Sequence, residues 1–450
     1  MDAKVFETIF KAYDVRGKVG SELTPAVVEA IGTAFANWLP NEGSVAVGRD
    51  MRPDSAELAK AMIAGLTSEG RDVIDLGEVT SDMIYFAVGH YKLAGGAVVT
   101  ASHNPGEYNG IKFCRDEAQA IGIETGLLEI RDAAIKNQAS PADKPGTVTQ
   151  KDSTADWIQH ALSFIDTKEL KPLKIVVDAG NGMAGKIFPA LEPLVPFKVT
   201  EMYFELDGTF PNHIANPLEI KNLKDVIAKI QAEGADVGIA FDGDGDRAVL
   251  IDETGEPLTG TVMTSLLAEY FLAKYPGSPI LHNAICGRVA PETIRKHGGK
   301  PIRTKVGHSY IKSEMRKNQA VFGGEHSGHY YFKDNFMADS GLIAAVVGLA
   351  VLCKSGQPLS KLVAPLRQQY VQIGETNFEV SDKDAVMKKI GEHFTEGTQD
   401  WLDGLTVNFK DSWFNVRPSN TEPLLRLNAE ATTQADLDKL VAEVTALITA

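Results

Sequence analysis

The sequence predicts an α/β protein of several domains that ends in a smaller α+β domain, and three observations carry the prediction. Apolar, strand-like runs recur along the chain, and each ends in a polar loop, most of them rich in glycine. Helical stretches lie between these runs, the alternation of α/β units. From Tyr370 onward the order changes, and strands cluster between two helices.

The elements follow in order. Gly96-Ala97-Val98-Val99 enters Thr100-Ala101-Ser102-His103-Asn104-Pro105. Asn137–Gly146, rich in Ala, Pro, Ser and Asp, reads as a linker and bounds a first domain at residues 1–145. Lys174–Val177 enters Asp178-Ala179-Gly180-Asn181-Gly182, and Val237–Phe241 enters Asp242-Gly243-Asp244-Gly245-Asp246-Arg247. A turn over Ile251–Pro257 closes a second domain, residues 146–252. Ala320–Phe322 enters Gly323-Gly324-Glu325-His326-Ser327-Gly328-His329, and the apolar run Leu342–Cys353 reads as a buried helix; both fall in a third domain, residues 253–366. The last domain, residues 367–450, reads as a strand over Tyr370–Val380, a helix over Asp382–Phe394, strands near Leu405–Phe409, Trp413–Val416 and Leu424–Ala429, and a helix from Gln434 to Ile448. In α/β sheets ligands bind beyond the carboxyl ends of strands, so the polar loops are the candidate site and several α/β domains are expected to face one cleft.

Composition narrows the function. The 450 residues are 44% hydrophobic, enough for ordinary cores, and the formal net charge of −15 argues against nucleic acid or an anionic membrane as partner. Cys114, Cys286 and Cys353 have neither metal-ligand nor redox spacing, which fits a reducing compartment. Met1–Arg16 shows no secretory pattern, and the run Leu342–Cys353 is shorter than the roughly 20 residues a bilayer requires. A cytoplasmic protein is expected.

The loops carry the chemistry. Asp242, Asp244 and Asp246 alternate with glycines, which allow a tight fold and offer hard oxygen donors suited to Mg²⁺. A calcium loop is the competing pattern, since Glu253 stands at its twelfth position, but Arg247-Ala248-Val249-Leu250 does not read as one. Ser102 has no Gly-x-Ser-x-Gly surroundings, which sets aside a hydrolase elbow. Facing a metal loop, a phosphorylated Ser102 would store a phosphoryl group. Glu325 and Ser327 offer acceptors and donors for sugar hydroxyls. Four of the ten histidines, His103, His308, His326 and His329, fall in or beside these loops. Arg417-Pro418-Ser419-Asn420-Thr421 combines a guanidinium with small polar groups, a set that can cradle phosphate.

Taken in order, Thr100–Pro105, Asp242–Arg247, Gly324–His329 and Arg417–Thr421, with Lys11-Ala12-Tyr13-Asp14-Val15-Arg16-Gly17 at the start, resemble the α-D-phosphohexomutase family, and within it the bacterial phosphomannomutase/phosphoglucomutase branch. The resemblance spans nearly the whole chain. It implies four domains around a central cleft, three related α/β domains with mixed sheets and a smaller C-terminal α+β domain. It also implies interconversion of mannose or glucose 1-phosphate with the 6-phosphate, through phosphoserine and a hexose 1,6-bisphosphate that is both intermediate and activator and that reorients between transfers. By position, Ser102 would be the phosphoserine, and Asp242, Asp244 and Asp246 would hold Mg²⁺ with a phosphoserine oxygen. Arg16, His103, Lys112, Arg247 and His329 would form the catalytic group, with Lys112 or His329 as proton shuttle. Tyr13, Lys305, Gly307, His308, Glu325 and Ser327 would line the sugar subsite. Arg417, Ser419, Asn420 and Thr421 would grip the phosphate that is not reacting.

One departure stands out. Many relatives carry a lysine where this chain has Ile280-Leu281-His282-Asn283-Ala284-Ile285-Cys286, so its task would pass to Arg288 or Lys305. The competing readings are a phosphoglucosamine mutase, which usually has Gln where His326 stands, and a Mg²⁺-dependent sugar phosphatase, against which the separate Arg417 loop speaks. An inactive binding relative would have lost Ser102 or the aspartates.

Overall fold

The computed structural model describes residues 2–136, 139, 141–419 and 424–450. The chain divides into two compact units, one of Met1–Leu258 with Gly328–Ser360, the other of Thr259–Ser327 with Lys361–Ala450. Part of the expected linker Asn137–Gly146 lies outside the described residues.

In the first unit, a mixed sheet runs in the order Val15–Lys18, Tyr108–Arg115, Gly95–Val99, Val45–Arg49, Val73–Glu78, Val148–Gln150. The strands Gly95–Val99, Val45–Arg49 and Val73–Glu78 are parallel, while Tyr108–Arg115 returns antiparallel on Gly95–Val99. Gly95–Val99 is buried throughout and Val45–Arg49 up to Gly48, which explains their continuous apolar runs. Helices Pro25–Trp38 and Ser55–Ser68 cover one face, and their close packing depends on Gly32 and Gly65: a Cβ on Gly65 would meet the Glu29 carbonyl at 2.2 Å.

The register Arg49↔Val99 places Asp50–Arg52 and Thr100–Ser102 side by side at the carboxyl ends of neighbouring parallel strands. A second sheet, in the order Ala248–Asp252, Val237–Phe241, Lys174–Asp178, Lys198–Met202, is parallel except at its first pair. The aspartate loop is the hairpin between Val237–Phe241 and Ala248–Asp252, closed by the pair Phe241↔Ala248. The run read as a buried helix spans Gly341–Ser355, capped by the Ser340 hydroxyl. Its first residue has to be small, since a Cβ on Gly341 would meet the Gly245 carbonyl at 2.7 Å.

In the second unit, Lys300–Thr304, Pro279–Asn283 and Phe322–Gly324 are parallel. The C-terminal part is an antiparallel sheet of Thr398–Asp400, Leu405–Asn408, Ser412–Pro418 and Leu424–Ala431. Helices Lys383–His393 and Gln434–Thr449 pack on its core through Ile390, Leu437, Val444 and Ile448. The single strand expected over Tyr370–Val380 is two strands, Val371–Gln372 and Thr376–Glu379, both paired with Leu424–Ala431. Among the described residues no single helix is long and apolar enough to cross a membrane.

Candidate active site

Ser102 opens the loop after Gly95–Val99 with φ of +52°, in the left-handed region. That backbone costs a residue with a side chain about 1–2 kcal/mol, so the surroundings must hold it. Two contacts do so directly: the Ser102 N–H donates to Thr100 Oγ1 at 3.0 Å, and Arg52 Nη2 donates to the Ser102 carbonyl at 3.0 Å. Arg52 also reaches the carbonyls of Asn104 at 2.6 Å, Pro105 at 3.0 Å and Tyr108 at 2.9 Å. It is buried, paired with Asp50 and set over the Phe210 ring.

The Ser102 hydroxyl donates to Asp242 Oδ2 at 2.8 Å and lies 3.0 Å from His103 Nδ1. Arg247 Nη2 donates to that same His103 nitrogen, so it carries no proton. Burial and the Arg247 and Arg16 charges hold the His103 pKa well below its ordinary value, which keeps the ring neutral. Arg247 Nε also donates to Asp242 Oδ2 at 2.9 Å. The backbones approach closely here: a Cβ on Gly243 would meet the Ser102 carbonyl at 2.4 Å.

Asp242, Asp244 and Asp246 are buried, and one ligand oxygen from each lies within 4.8 Å of the others. Lys112 sits among them, its Nζ 2.6 Å from Asp244 Oδ2 and 2.6 Å from Asp246 Oδ2. Burial pushes the Asp242 carboxyl up to about 7 against the pull of Arg247, with Asp246 and Asp244 adding repulsion. Burial works against the Asp244 anion too. There the Lys112 charge and hydrogen bonds from Lys112, Ser81 and Ser102 outweigh it and hold the carboxyl well below its usual range. His329 Nε2 lies 3.6 Å from Asp246 Oδ1, and Arg16 is fixed by Asp14 and Asn104, each at 2.5 Å. The competing calcium pattern fails on geometry, because the Glu253 carboxylate accepts from the Ser360 N–H and hydroxyl.

The first unit therefore brings together Arg16, Ser102, His103, Lys112, the three aspartates, Arg247 and His329. Tyr13 is half-buried near the start of the same sheet. In the second unit, the buried Glu325 accepts from Asn283 Nδ2 at 3.0 Å and from the Gly307 N–H at 3.1 Å. Asn283 thus orients Glu325 from the segment Pro279–Asn283. The Arg288 guanidinium donates to the carbonyls of Phe409, Lys410 and Ser412. Lys305 is exposed, with Nζ 5.4 Å from the Tyr310 ring centroid. His308 begins the helix His308–Asn318, and Ser327 is half-buried. Arg417 is buried and donates to Glu375, and the Ser419 N–H donates to the Leu424 carbonyl. Asn420 and Thr421 lie outside the described residues.

Sequence reasoning passed over Arg52, Ser81 and Glu375. The Ser81 hydroxyl donates to Asp244 Oδ2 at 2.5 Å. Asp50 and Arg52 follow a strand and a glycine in the manner of the other loops, the one signal that could have found them.

Comparison with known proteins agrees along the chain. The phosphoglucomutase/phosphomannomutase alpha/beta/alpha domains I, II and III match residues 7–140, 155–255 and 259–370, and the C-terminal domain of that family matches residues 375–447. The chain is 42% identical over 431 residues to the phosphohexose mutases protein of Xanthomonas campestris pv. campestris, covering 95% of this chain and 96% of that one. It is 38% identical over 454 residues to a phosphomannomutase of Vibrio cholerae, covering 98% of each. A crystal structure of a phosphoglucomutase/phosphomannomutase family protein from Burkholderia thailandensis superposes with a TM-score of 0.90 at 33% identity, covering 98% of this chain and 97% of that one. With all four domains matched in order along its length, the chain belongs to the phosphoglucomutase/phosphomannomutase family.

Proposed function

We propose that this protein is a phosphohexomutase that interconverts hexose 1-phosphate and hexose 6-phosphate, with mannose or glucose as the sugar. The reaction runs through phosphorylated Ser102 and a hexose 1,6-bisphosphate that turns over between two transfers. The observation that carries the reading is the Ser102 hydroxyl, 2.8 Å from Asp242 and surrounded by Lys112, Arg247 and two more buried carboxylates. A structural serine has no use for such surroundings.

The donor set fits a hard dication. All three side chains offer oxygen, and Asp244 Oδ1 and Asp246 Oδ1 are buried without a hydrogen-bond partner among the described residues. We assign Mg²⁺ to Asp242, Asp244 and Asp246 together with a phosphoserine oxygen of Ser102. Bound there, the ion neutralises charge on the phosphoryl oxygens.

The chain's own residues do the rest. In the first transfer the bond from Ser102 Oγ to phosphorus breaks and one from that phosphorus to a sugar hydroxyl oxygen forms; in the second, the other sugar oxygen–phosphorus bond breaks and the bond to Ser102 Oγ re-forms. Lys112 and Arg247 supply positive charge, which the loose transition state of phosphoryl transfer rewards. We give the proton of the sugar hydroxyl to His329, because the Lys112 ammonium is committed to two carboxylates. Arg52 and Thr100 hold Ser102 in place for in-line transfer. Lys305, Gly307, His308, Glu325 and Ser327 are assigned to the sugar, and Arg417, Ser419, Asn420 and Thr421 to the phosphate that is not reacting.

Phosphorus NMR on mannose 1-phosphate and glucose 1-phosphate, with Mg²⁺ and a trace of hexose 1,6-bisphosphate, tests the reading. Growth of the 6-phosphate signal is the expected result. Release of free phosphate would make the protein a phosphatase instead, and turnover of glucosamine phosphate alone would move it to that branch.

A further inference from the structure

The break between Val371–Gln372 and Thr376–Glu379 is a bulge. The pairs Gln372↔Glu430 and Thr376↔Leu427 leave Ile373, Gly374 and Glu375 opposite only Asn428 and Ala429. Bulges re-aim a side chain, and this one aims Glu375 at two guanidiniums. Glu375 Oε2 accepts from Arg417 Nη2 at 3.1 Å and Asn428 Nδ2 at 3.3 Å, and Oε1 accepts from Arg426 Nη1 at 2.8 Å. Arg417 and Arg426 are direct cross-strand partners. Like charges facing each other in this way are destabilising without an anion between them. Arg417 is itself buried, and its Nε has no hydrogen-bond partner among the described residues. The site therefore has room in its bonding for a second anion.

We infer that Glu375 is a resident counter-anion that holds Arg417 and Arg426 ready and competes with the substrate's phosphate for them. The inference rests on the assignment of Arg417 to the non-reacting phosphate. A phosphate arriving at Arg417 meets a guanidinium already oriented, and it also meets a carboxylate that repels it. A phosphate leaving gives Arg417 back to Glu375 rather than leaving it bare. Glu375 thus weakens binding and eases release, which a mutase needs because its bisphosphate must let go and rebind by the other end.

The test is Glu375→Gln in the full chain with Mg²⁺, which keeps the acceptor and removes the charge. KM for hexose 1-phosphate and the inhibition constant of inorganic phosphate are expected to fall about tenfold, with kcat also falling, since a unit charge at this range in a partly solvated site exceeds that effect before screening. A rise in KM with kcat unchanged would reduce Glu375 to a structural support for Arg417 and overturn the inference. So would unchanged constants. Arg417→Ala, measured in parallel, separates the two claims. If it leaves KM and phosphate inhibition untouched, the phosphate assignment fails and the inference falls with it. If it raises both while Glu375→Gln lowers neither, only the inference fails. Should the Gln variant not fold, Glu375→Asp, whose shorter arm cannot hold both guanidiniums, is expected to show the same fall on a smaller scale, and its absence counts against the inference.

Discussion

Gly243→Ala isolates the positioning of Ser102 from every chemical group in the site. A Cβ at residue 243 would stand 2.4 Å from the Ser102 carbonyl oxygen, with Phe210 Cζ at 3.4 Å behind it. Neither backbone can yield freely. The Ser102 carbonyl is held by Arg52 at 3.0 Å, and the Gly243 carbonyl accepts from the Met183 N–H at 2.9 Å. Opening the contact to 3.0 Å, the shortest distance a Cβ tolerates, requires a shift of about 0.6 Å, shared between the serine and aspartate loops. A misplacement of about 1 Å costs roughly 100-fold in rate, so a fall in kcat of about 10- to 30-fold is expected, near 1.4–2 kcal/mol. Overpacking adds about 1–3 kcal/mol of lost stability. KM for the sugar phosphate is expected to hold within about twofold, because no side chain that touches sugar is altered. A coupled assay of hexose 6-phosphate formation, with a melting curve, reads both quantities. A variant with kcat within twofold of wild type would refute the claim that this backbone contact sets the position of Ser102. So would one whose KM rises while kcat stays.

The remaining expectations concern single groups. Ser102→Ala removes the nucleophile while leaving the loop's hydrogen bonds to the backbone; isomerisation is expected to vanish, with sugar-phosphate binding by calorimetry nearly unchanged. Arg52→Lys keeps the charge beside Asp50 but loses the fork that serves four carbonyls; a stability loss of about 2–4 kcal/mol and a lower kcat are expected, read by denaturant titration and steady-state kinetics. His213 lies 3.0 Å from Asp178 at the end of Lys174–Asp178. Burial lowers its pKa, but the hydrogen bond and charge of Asp178 outweigh that and raise it above 6.5. The stabilisation is therefore whole below pH 6.5 and is lost as pH rises through the folded-state pKa. His213→Gln is expected to remove about 1 kcal/mol at pH 6 and progressively less at higher pH, measured by melting temperature.

Much of this molecule is written locally. A buried parallel strand needs a continuous apolar run, and the loop at its end needs glycine and polar groups, so Gly96–Val99, Val237–Phe241 and the loops after them are legible in a single pass along the chain. The helices Gly341–Ser355 and Gln434–Thr449 follow from apolar content and period, and the C-terminal strands from their clustering. A strand interrupted by one extra residue reads the same as a continuous one, which is why Tyr370–Val380 hid a bulge.

What the sequence determined by itself is the fold class and the chemical character of each loop: a serine after a strand, alternating aspartates, an arginine followed by small polar residues. What only the tertiary structure decided is which groups meet. Arg52 serves the Ser102 loop because Val45–Arg49 and Gly95–Val99 are neighbours in the sheet, although the two residues are 50 apart in the chain. Lys112 sits among the aspartates, 132 residues from Asp244, and Glu375 faces Arg417 across 42 residues. Strand order and register arise from packing the whole core at once, and no local pattern encodes them; the electrostatics of a site is set by those neighbours.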